Sequence, residues 1–520
     1  MKINSLGFII IAAIILLFVR LGGTSVFQVA EARNSQCAYE MMTTGDMITP
    51  TFNGILRTDK PALEYYAMIA AYKLFGKDEG SARFFSGVCG LIVIISTFFF
   101  VRKHATTSAA WWSAFILLSS MHTIVQFRLA TPDPYLILCH VLSLYCFIEG
   151  FTSRQFKWYA LMYILLGLGI FAKGPVALAL PGLTMVLYLL FTKQFTLKNI
   201  VRLQPWFGVL LIALFCVPWY YLVHVRTGGA WTRGFFFEHN VGRFDEPVDN
   251  HGGLFIITFL FVILGMFPFS AFFIRVGKYV WQNRKTNHFL LFNFIAFWVV
   301  VGFYFFSSTR LLNYTTPAYP FFAIMIGCWL ADRLPVFSFK NIKPELLIIC
   351  ILTMILPLGI YTWAVNTEPV DNVSWIAFPL LVFTVGGIAA LVYARQNISK
   401  ALRVIGCTYM VATLLVFAWL FPALDSQTPM EKHKQFIGAA DNVVAYQNFN
   451  DAFVYYTKHP IPLITDIDSL AAYINTHNNA VVISKSKQFK TLDSLPSIKL
   501  YSKDMDLFSV SYSAIYIKSK

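Results

Sequence analysis

QVAEARNSQCAYEMMTTGDMITPTFNGILRTDKPALEYY, residues 28–66, follows the first apolar run of the chain. It gathers Glu31, Arg33, Glu40, Asp46, Arg57, Asp59, Lys60 and Glu64 among turn-forming residues. Almost everything after it is apolar. A chain that concentrates its few charges beside a membrane helix is building a polar site at the membrane surface. The stretch therefore reads as a charged loop, and as the floor of a site.

Composition sets the surroundings of that loop. The chain has 520 residues, of which 57% are hydrophobic and 13% charged. Soluble domains carry roughly 25% charged residues, so the deficit points to a membrane protein. The formal charge of +15 does not point to nucleic acid. Its Lys and Arg sit mainly in short loops between apolar runs, where they set membrane orientation and meet anionic headgroups. Seven of the eight cysteines lie inside apolar runs, only Cys37 lies outside, and no CxxC pair exists. Neither a disulfide framework nor a thiolate zinc site is indicated. The run at residues 8–19 resembles a signal-peptide core, but the Ala30-Glu31-Ala32 cleavage mimic stands too far beyond it. It reads as an uncleaved first helix.

Apolar runs long enough to cross a bilayer recur about thirteen times. They lie near 5–21, 81–101, 107–126, 133–151, 157–173, 175–191, 207–225, 254–274, 288–307, 314–332, 345–365, 373–394 and 402–422. Residues 62–75 are amphipathic and read as a surface helix. With the N-terminus inside, every inside loop is basic with almost no acid, and Glu31, Asp46, Asp59, Asp245, Glu246, Glu368 and Asp371 fall outside. The C-terminus then lies outside, in the periplasm of a Gram-negative host. From about residue 424 the chain turns polar, with buried-strand patterns at 443–446 and 480–483, a helix at 467–476 and a strand at 508–517. The division expected is a transmembrane domain over 1–423, whose loop 22–80 carries the site, and a small α/β periplasmic domain over 424–520.

Chemistry is concentrated in the first loop. Transfer of a sugar from a lipid phosphate needs a carboxylate near the reacting centre and cations for the departing phosphate. Glu31 or Asp59 supplies the first, and Lys60 and Arg57 the second. An ordinary solvated loop would carry the same residues. Asp133, after Pro132, is as good a helix cap as a site residue, and Lys173 as good a snorkelling lysine as a phosphate ligand. Arg310 fits an interfacial anchor or a bidentate phosphate contact. The loop at 226–253 holds Arg233, Glu238, His239, Arg243, Asp245, Glu246 and His251 without a helical metal-ligand spacing.

The motifs Glu31-Ala32-Arg33, Glu40-Met41, Gly45-Asp46, Pro50, Asn53-Gly54, Asp59-Lys60-Pro61 and Phe75-Gly76 resemble the first periplasmic loop of membrane glycosyltransferases that use polyprenyl-phosphate sugars. That superfamily includes the lipid A aminoarabinose transferases and the protein O-mannosyltransferases. Asp133-Pro134, Lys173-Gly174, His239-Asn240, Arg243, His251-Gly252, and Arg310 ahead of Pro317 and Pro320 extend the likeness. The resemblance implies an all-α polytopic GT-C fold in the inner membrane. It implies an inverting transferase that takes its sugar from undecaprenyl phosphate, with lipid A phosphate the favoured acceptor and a protein hydroxyl or surface polysaccharide the alternative. A lipid-linked-sugar flippase is the competing class, but the charges crowd one face and no internal repeat is seen.

By the same resemblance, Lys60, Arg57, Lys173, Arg243 and Arg310 hold the phosphate and Glu31, Asp59 and Asp133 serve catalysis. Arg33, His239 and His251 belong to the acceptor side and to a loop closing over the donor. Some relatives bind a divalent ion, which here would fall on Glu31 and Asp59. Where the family shows Asp-Glu this chain has Ala30-Glu31. A phosphate acceptor, already anionic, needs positioning rather than a base.

Overall fold

Each apolar run becomes helix. The computed structural model describes residues 4–241, 256–308, 310–368, 370–485, 488–507 and 511–519. Among these, eight helices are long and apolar enough to cross a membrane, and three more, Leu6–Phe18, Val176–Phe191 and Ile256–Gly265, are shorter apolar helices. Two further runs are broken. Residues 107–126 form α5 (Thr107–Ser119) and α6 (Met121–Gln126), and a 3-10 turn at Leu312–Ala318 leads into the helix Tyr319–Arg333. The break between α5 and α6 falls at Ser120, whose hydroxyl donates to Gly265 O (2.6 Å) instead of to its own helix. Helix Tyr319–Arg333 lies against α5 at Gly327, where a Cβ would come within 2.3 Å of Ser113 Oγ and 2.8 Å of Ala109 O. Only glycine permits that approach. The chain is a multi-pass membrane protein.

The first loop is more ordered than its composition predicts. Residues 29–44 form a helix, α2 (Val29–Thr44), not a loop. Its buried face of Cys37, Ala38 and Met41 packs on α3 (Leu63–Phe75), the helix expected at the surface. Gly45, at φ 74°, ends α2 in the left-handed region that suits glycine. Asp46 then accepts from the amides of Ile48 and Thr49 (2.9 and 3.1 Å). Asn53 and Gly54, both at positive φ, turn a two-residue hairpin between β1 (Thr51–Phe52) and β2 (Ile55–Leu56). Glu40 holds this hairpin to α2, accepting from Thr51 Oγ1 (2.7 Å) and from the amides of Asn53 (2.8 Å) and Gly54 (3.2 Å).

A buried ion pair ties the loop to the membrane helices. Arg83, in the first turns of α4 (Glu79–His104), meets Glu31 with Nε to Oε1 at 2.7 Å and Nη2 to Oε2 at 2.8 Å. Its remaining N–H groups donate to the carbonyls of Leu21 (3.0 Å), Thr24 (3.0 Å) and Ser25 (2.8 Å), beyond the end of α1 (Asn4–Phe18).

The C-terminal residues form a five-stranded sheet in the order β4-β3-β5-β7-β6. β3 (Val443–Tyr446) lies parallel to β4 (Leu463–Ile464) and β5 (Val481–Lys485). β7 (Ser511–Lys518) is antiparallel to β5 and to β6 (Ile498–Asp506). This sheet domain sits on the first loop. Arg33 pairs with Asp451 (2.6 Å), Asn53 and Ile461 exchange two hydrogen bonds (2.9 and 2.7 Å), and Lys77 donates to Tyr455 O (2.8 Å). Asp425, at the end of the last membrane-spanning helix, accepts from Ser25 N (2.6 Å) and Ser25 Oγ (2.7 Å).

Removing one partner of a buried pair strands the other charge in a dry environment. Arg83→Met is expected to cost about 3–5 kcal/mol, read as a lowered unfolding temperature in detergent, and Arg83→Lys is not expected to restore it because lysine cannot span the carboxylate and three carbonyls.

Candidate active site

Two ion pairs at one end of the helices organise the charged residues. The first is Arg57–Asp59, with Nε to Oδ1 at 2.6 Å and Nη2 to Oδ2 at 2.9 Å. Arg57 Nη2 also donates to Asn34 Oδ1 (2.7 Å), and Asn34 Nδ2 donates to Ala130 O (3.3 Å). The backbone amide of Ala130 in turn donates to Glu31 Oε1 (2.9 Å). Burial alone would raise the Asp59 carboxyl. The charge and hydrogen bonds of Arg57, helped by Lys60 and His239, outweigh that and hold it well below the usual carboxylate range.

The second pair joins Asp133 to Lys173. Asp133 opens α7 (Asp133–Ser153) behind Pro132, and Lys173 closes α8 (Phe156–Lys173), which Gly174 terminates at φ 91°. Lys173 Nζ lies 2.5 Å from Asp133 Oδ1, and Asn313 Nδ2 donates to Oδ2 (3.1 Å). Lys173 Nζ is 5.2 Å from the centre of the Tyr314 ring. Asp133 is thus neither the helix cap, a position that Pro132 takes, nor a lone charge. The 3-10 turn at Leu312–Ala318 brings Asn313 and Tyr314 to it, and Arg310 lies two residues before that turn.

The pairs belong to one cluster. Glu64, in the first turn of α3, is in electrostatic reach of Arg57 and Lys60 and of both Asp133 and Asp59. The segment Gly234–Val241 approaches from the side. A Cβ on Gly234 would lie 2.6 Å from Thr58 Oγ1, next to Asp59, and the charge of His239 acts on Asp59. Trp231, fully buried and stacked on Phe235 at 4.8 Å, anchors this approach.

Two residues expected in the site are turned elsewhere. Glu31 is fully buried, with both oxygens engaged by Arg83 and Oε1 also by Ala130. It supports the cluster through Ala130 and Asn34 rather than facing a substrate. Arg33 reaches the sheet domain instead of an acceptor. Arg57 is spent on Asp59 and Asn34 except for Nη1, which is buried and has no partner among the described residues. Arg243 and His251 lie outside the described residues. A divalent ion at Glu31 and Asp59 does not fit, because their oxygens are held by Arg83 and Arg57. Among the described residues no group of three or more His, Cys, Asp and Glu could hold a metal.

Sequence reasoning missed Asn34, Asn313 and Tyr314, which have no signature of their own. It also missed Arg83, although a cation inside an apolar run is a signal in itself.

The family model of dolichyl-phosphate-mannose-protein mannosyltransferases matches residues 59–222, from Asp59 past Asp133 and Lys173. A protein of Aquifex aeolicus without an assigned function is 27% identical over 339 residues, 64% of this chain and 65% of its own length. The undecaprenyl phosphate-alpha-4-amino-4-deoxy-L-arabinose arabinosyl transferase of Pectobacterium atrosepticum is 25% identical over 440 residues, 82% of this chain and 78% of its own. The crystal structure of ArnT from Cupriavidus metallidurans bound to undecaprenyl phosphate superposes with a TM-score of 0.82. It covers 99% of this chain and 98% of that one at 20% identity. The chain has the GT-C fold and is similar to the membrane glycosyltransferases that carry it. The likeness to the aminoarabinose transferases runs over most of its length.

Asp133→Asn and Lys173→Met are each expected to lower turnover by about 100-fold or more, the scale of losing one preorganised charge contact. Because the two act as one pair, the double variant should be little slower than the slower single one in steady-state assays.

Proposed function

We propose that this chain moves a sugar from undecaprenyl phosphate to a phosphate of lipid A at the outer face of the inner membrane. The observation that carries this reading is the cluster itself. Cations and carboxylates from residues 57–60, α3, α7 and α8, with Asn313 of the turn at Leu312–Ala318, meet at one end of a helix bundle. The whole-length likeness to a transferase crystallised with undecaprenyl phosphate supports it.

In the transfer, the bond between the anomeric carbon and the donor phosphate oxygen breaks, and the electron pair leaves with the phosphate. An oxygen of the acceptor phosphate, already anionic, attacks the opposite face and forms the new bond with inversion. No proton need be removed from the acceptor. Lys60, Lys173, Arg310, Arg243 and the free Nη1 of Arg57 receive the charge growing on the departing phosphate. Asp59 and Asp133 flank the positive charge growing at the anomeric carbon.

The N-terminus faces the cytoplasm and the sheet domain the periplasm. The basic inside loops support this, as does the contact of the sheet domain with the first loop. A hydroxyl acceptor would call for a base, and the two site carboxylates with hydrogen-bonding partners, Asp59 and Asp133, are already ion-paired.

Purified protein given an undecaprenyl-phosphate aminosugar and lipid A should yield lipid A heavier by one sugar in mass spectra. Lys60→Ala should reduce that product at least about 100-fold. Lipid A of unchanged mass from the wild-type chain overturns the acceptor. The pH profile carries a second expectation. The folded value of Asp59 is depressed, so its pair with Arg57 is complete above the ordinary carboxylate range and fades only below about pH 4. Any activity lost between about pH 6 and 5 therefore does not come from Asp59, and Asp59→Asn should leave that limb in place.

A further inference from the structure

Among the described residues, four carboxylates around the site are engaged and a fifth is not. Glu31 is held by Arg83, Glu40 by the hairpin, Asp59 by Arg57 and Asp133 by Lys173 and Asn313. Glu64 is fully buried, and neither of its oxygens has a hydrogen-bond partner among the described residues. It stands in electrostatic reach of Arg57, Lys60, Asp133 and Asp59, members of both ion pairs among them. The nearby Nη1 of Arg57 is buried and unmet as well.

A buried polar group without a partner costs folding stability, and native structures keep few of them. Two unmet groups of complementary kind in one charged cluster therefore mark a place that a ligand completes. Burial pushes the Glu64 carboxyl well above its usual range, with Asp133 and Asp59 adding to the effect and Arg57 and Lys60 opposing it. The side chain then offers one O–H donor and one carbonyl acceptor, a match for phosphate oxygens or sugar hydroxyl and amino groups.

We propose that Glu64 is a substrate-contacting residue whose hydrogen bonds are made by the polar head of the lipid-linked donor, its phosphate or its sugar. The assignment rests on the transferase reading above. Glu64 makes no covalent bond and transfers no proton. It recognises the donor and helps to orient it over Asp59 and Asp133.

The test uses the full chain in detergent with Glu64→Leu and Glu64→Gln. Leucine removes an unmet polar group from a dry site, so the ligand-free unfolding temperature should hold or rise, whereas the KM for the sugar-bearing lipid should rise about tenfold or more. Glutamine keeps a donor and an acceptor and should stay within about threefold of wild type. Undecaprenyl phosphate without sugar serves as a second probe. If it raises the unfolding temperature of wild type but not of Glu64→Leu, the contact is to phosphate. If only the sugar-bearing lipid discriminates, the contact is to the sugar. A lowered ligand-free unfolding temperature with an unchanged donor KM makes Glu64 structural and overturns the proposal, as does a Glu64→Gln variant as impaired as Glu64→Leu. A wild-type chain that transfers no sugar overturns the function. A wild-type chain that does, matched by Glu64→Leu, overturns only the role of Glu64.

Discussion

The architecture depends on the buried pair of Glu31 and Arg83. One guanidinium joins α2 to α4 and holds the carbonyls of residues 21, 24 and 25 beyond α1. The carboxylate it meets also fixes the amide of Ala130, three residues before Asp133. The first membrane helix, the amphipathic face of the loop and the entrance to α7 are thereby set relative to one another. A buried ion pair is seldom a net source of stability, because desolvation offsets its attraction. Its value here is geometric, because four chain segments can meet at this point in only one arrangement.

The site inherits that arrangement. From Ala130 the hydrogen bonds run through Asn34 to Arg57 and Asp59, and a few residues on Asp133 meets Lys173. Three charges of the cluster are each oriented by a second group. Asp59 is held by a bidentate arginine, Asp133 by a lysine and an amide, and Lys173 beside the ring of Tyr314. Such preorganisation suits a reaction in which charge moves from acceptor to leaving group without a proton following it. The sheet domain closes the outer side, contacting Arg33, Asn53 and Lys77 of the same loop.

The membrane helices were legible because hydrophobic length is a strong signal that survives any packing detail. Asp133 and Lys173 stood out because ionisable residues at the ends of apolar runs are rare, and Asp59-Lys60 because the first loop concentrates charge; their part in the transfer is the proposal made above. The helical state of residues 29–44 was not. Its polar composition mimics a loop, and the face that buries Cys37, Ala38 and Met41 gains its stability from α3 rather than from local propensity. The loss of Glu31 to Arg83 was hidden for a related reason, since the partner lies 52 residues away and pairing across such a distance leaves no trace in spacing. In the sheet domain, β3 and β5 were readable as wholly buried strands, whereas β6, largely exposed and polar, was not.

The claim on which everything rests is that the lipid phosphate is received at this charged end. A cavity of about 720 Å³ lies at the other end of helix Tyr319–Arg333, lined by Trp111, Arg395 and Arg403, and is the natural competitor. Photolabelling separates the two. An undecaprenyl phosphate analogue with a photoreactive group beside its phosphate should attach to peptides containing residues 57–64 and 310–318, and excess undecaprenyl phosphate should suppress the labelling. Label recovered instead from residues 395–403, with none near Lys60, would contradict the account.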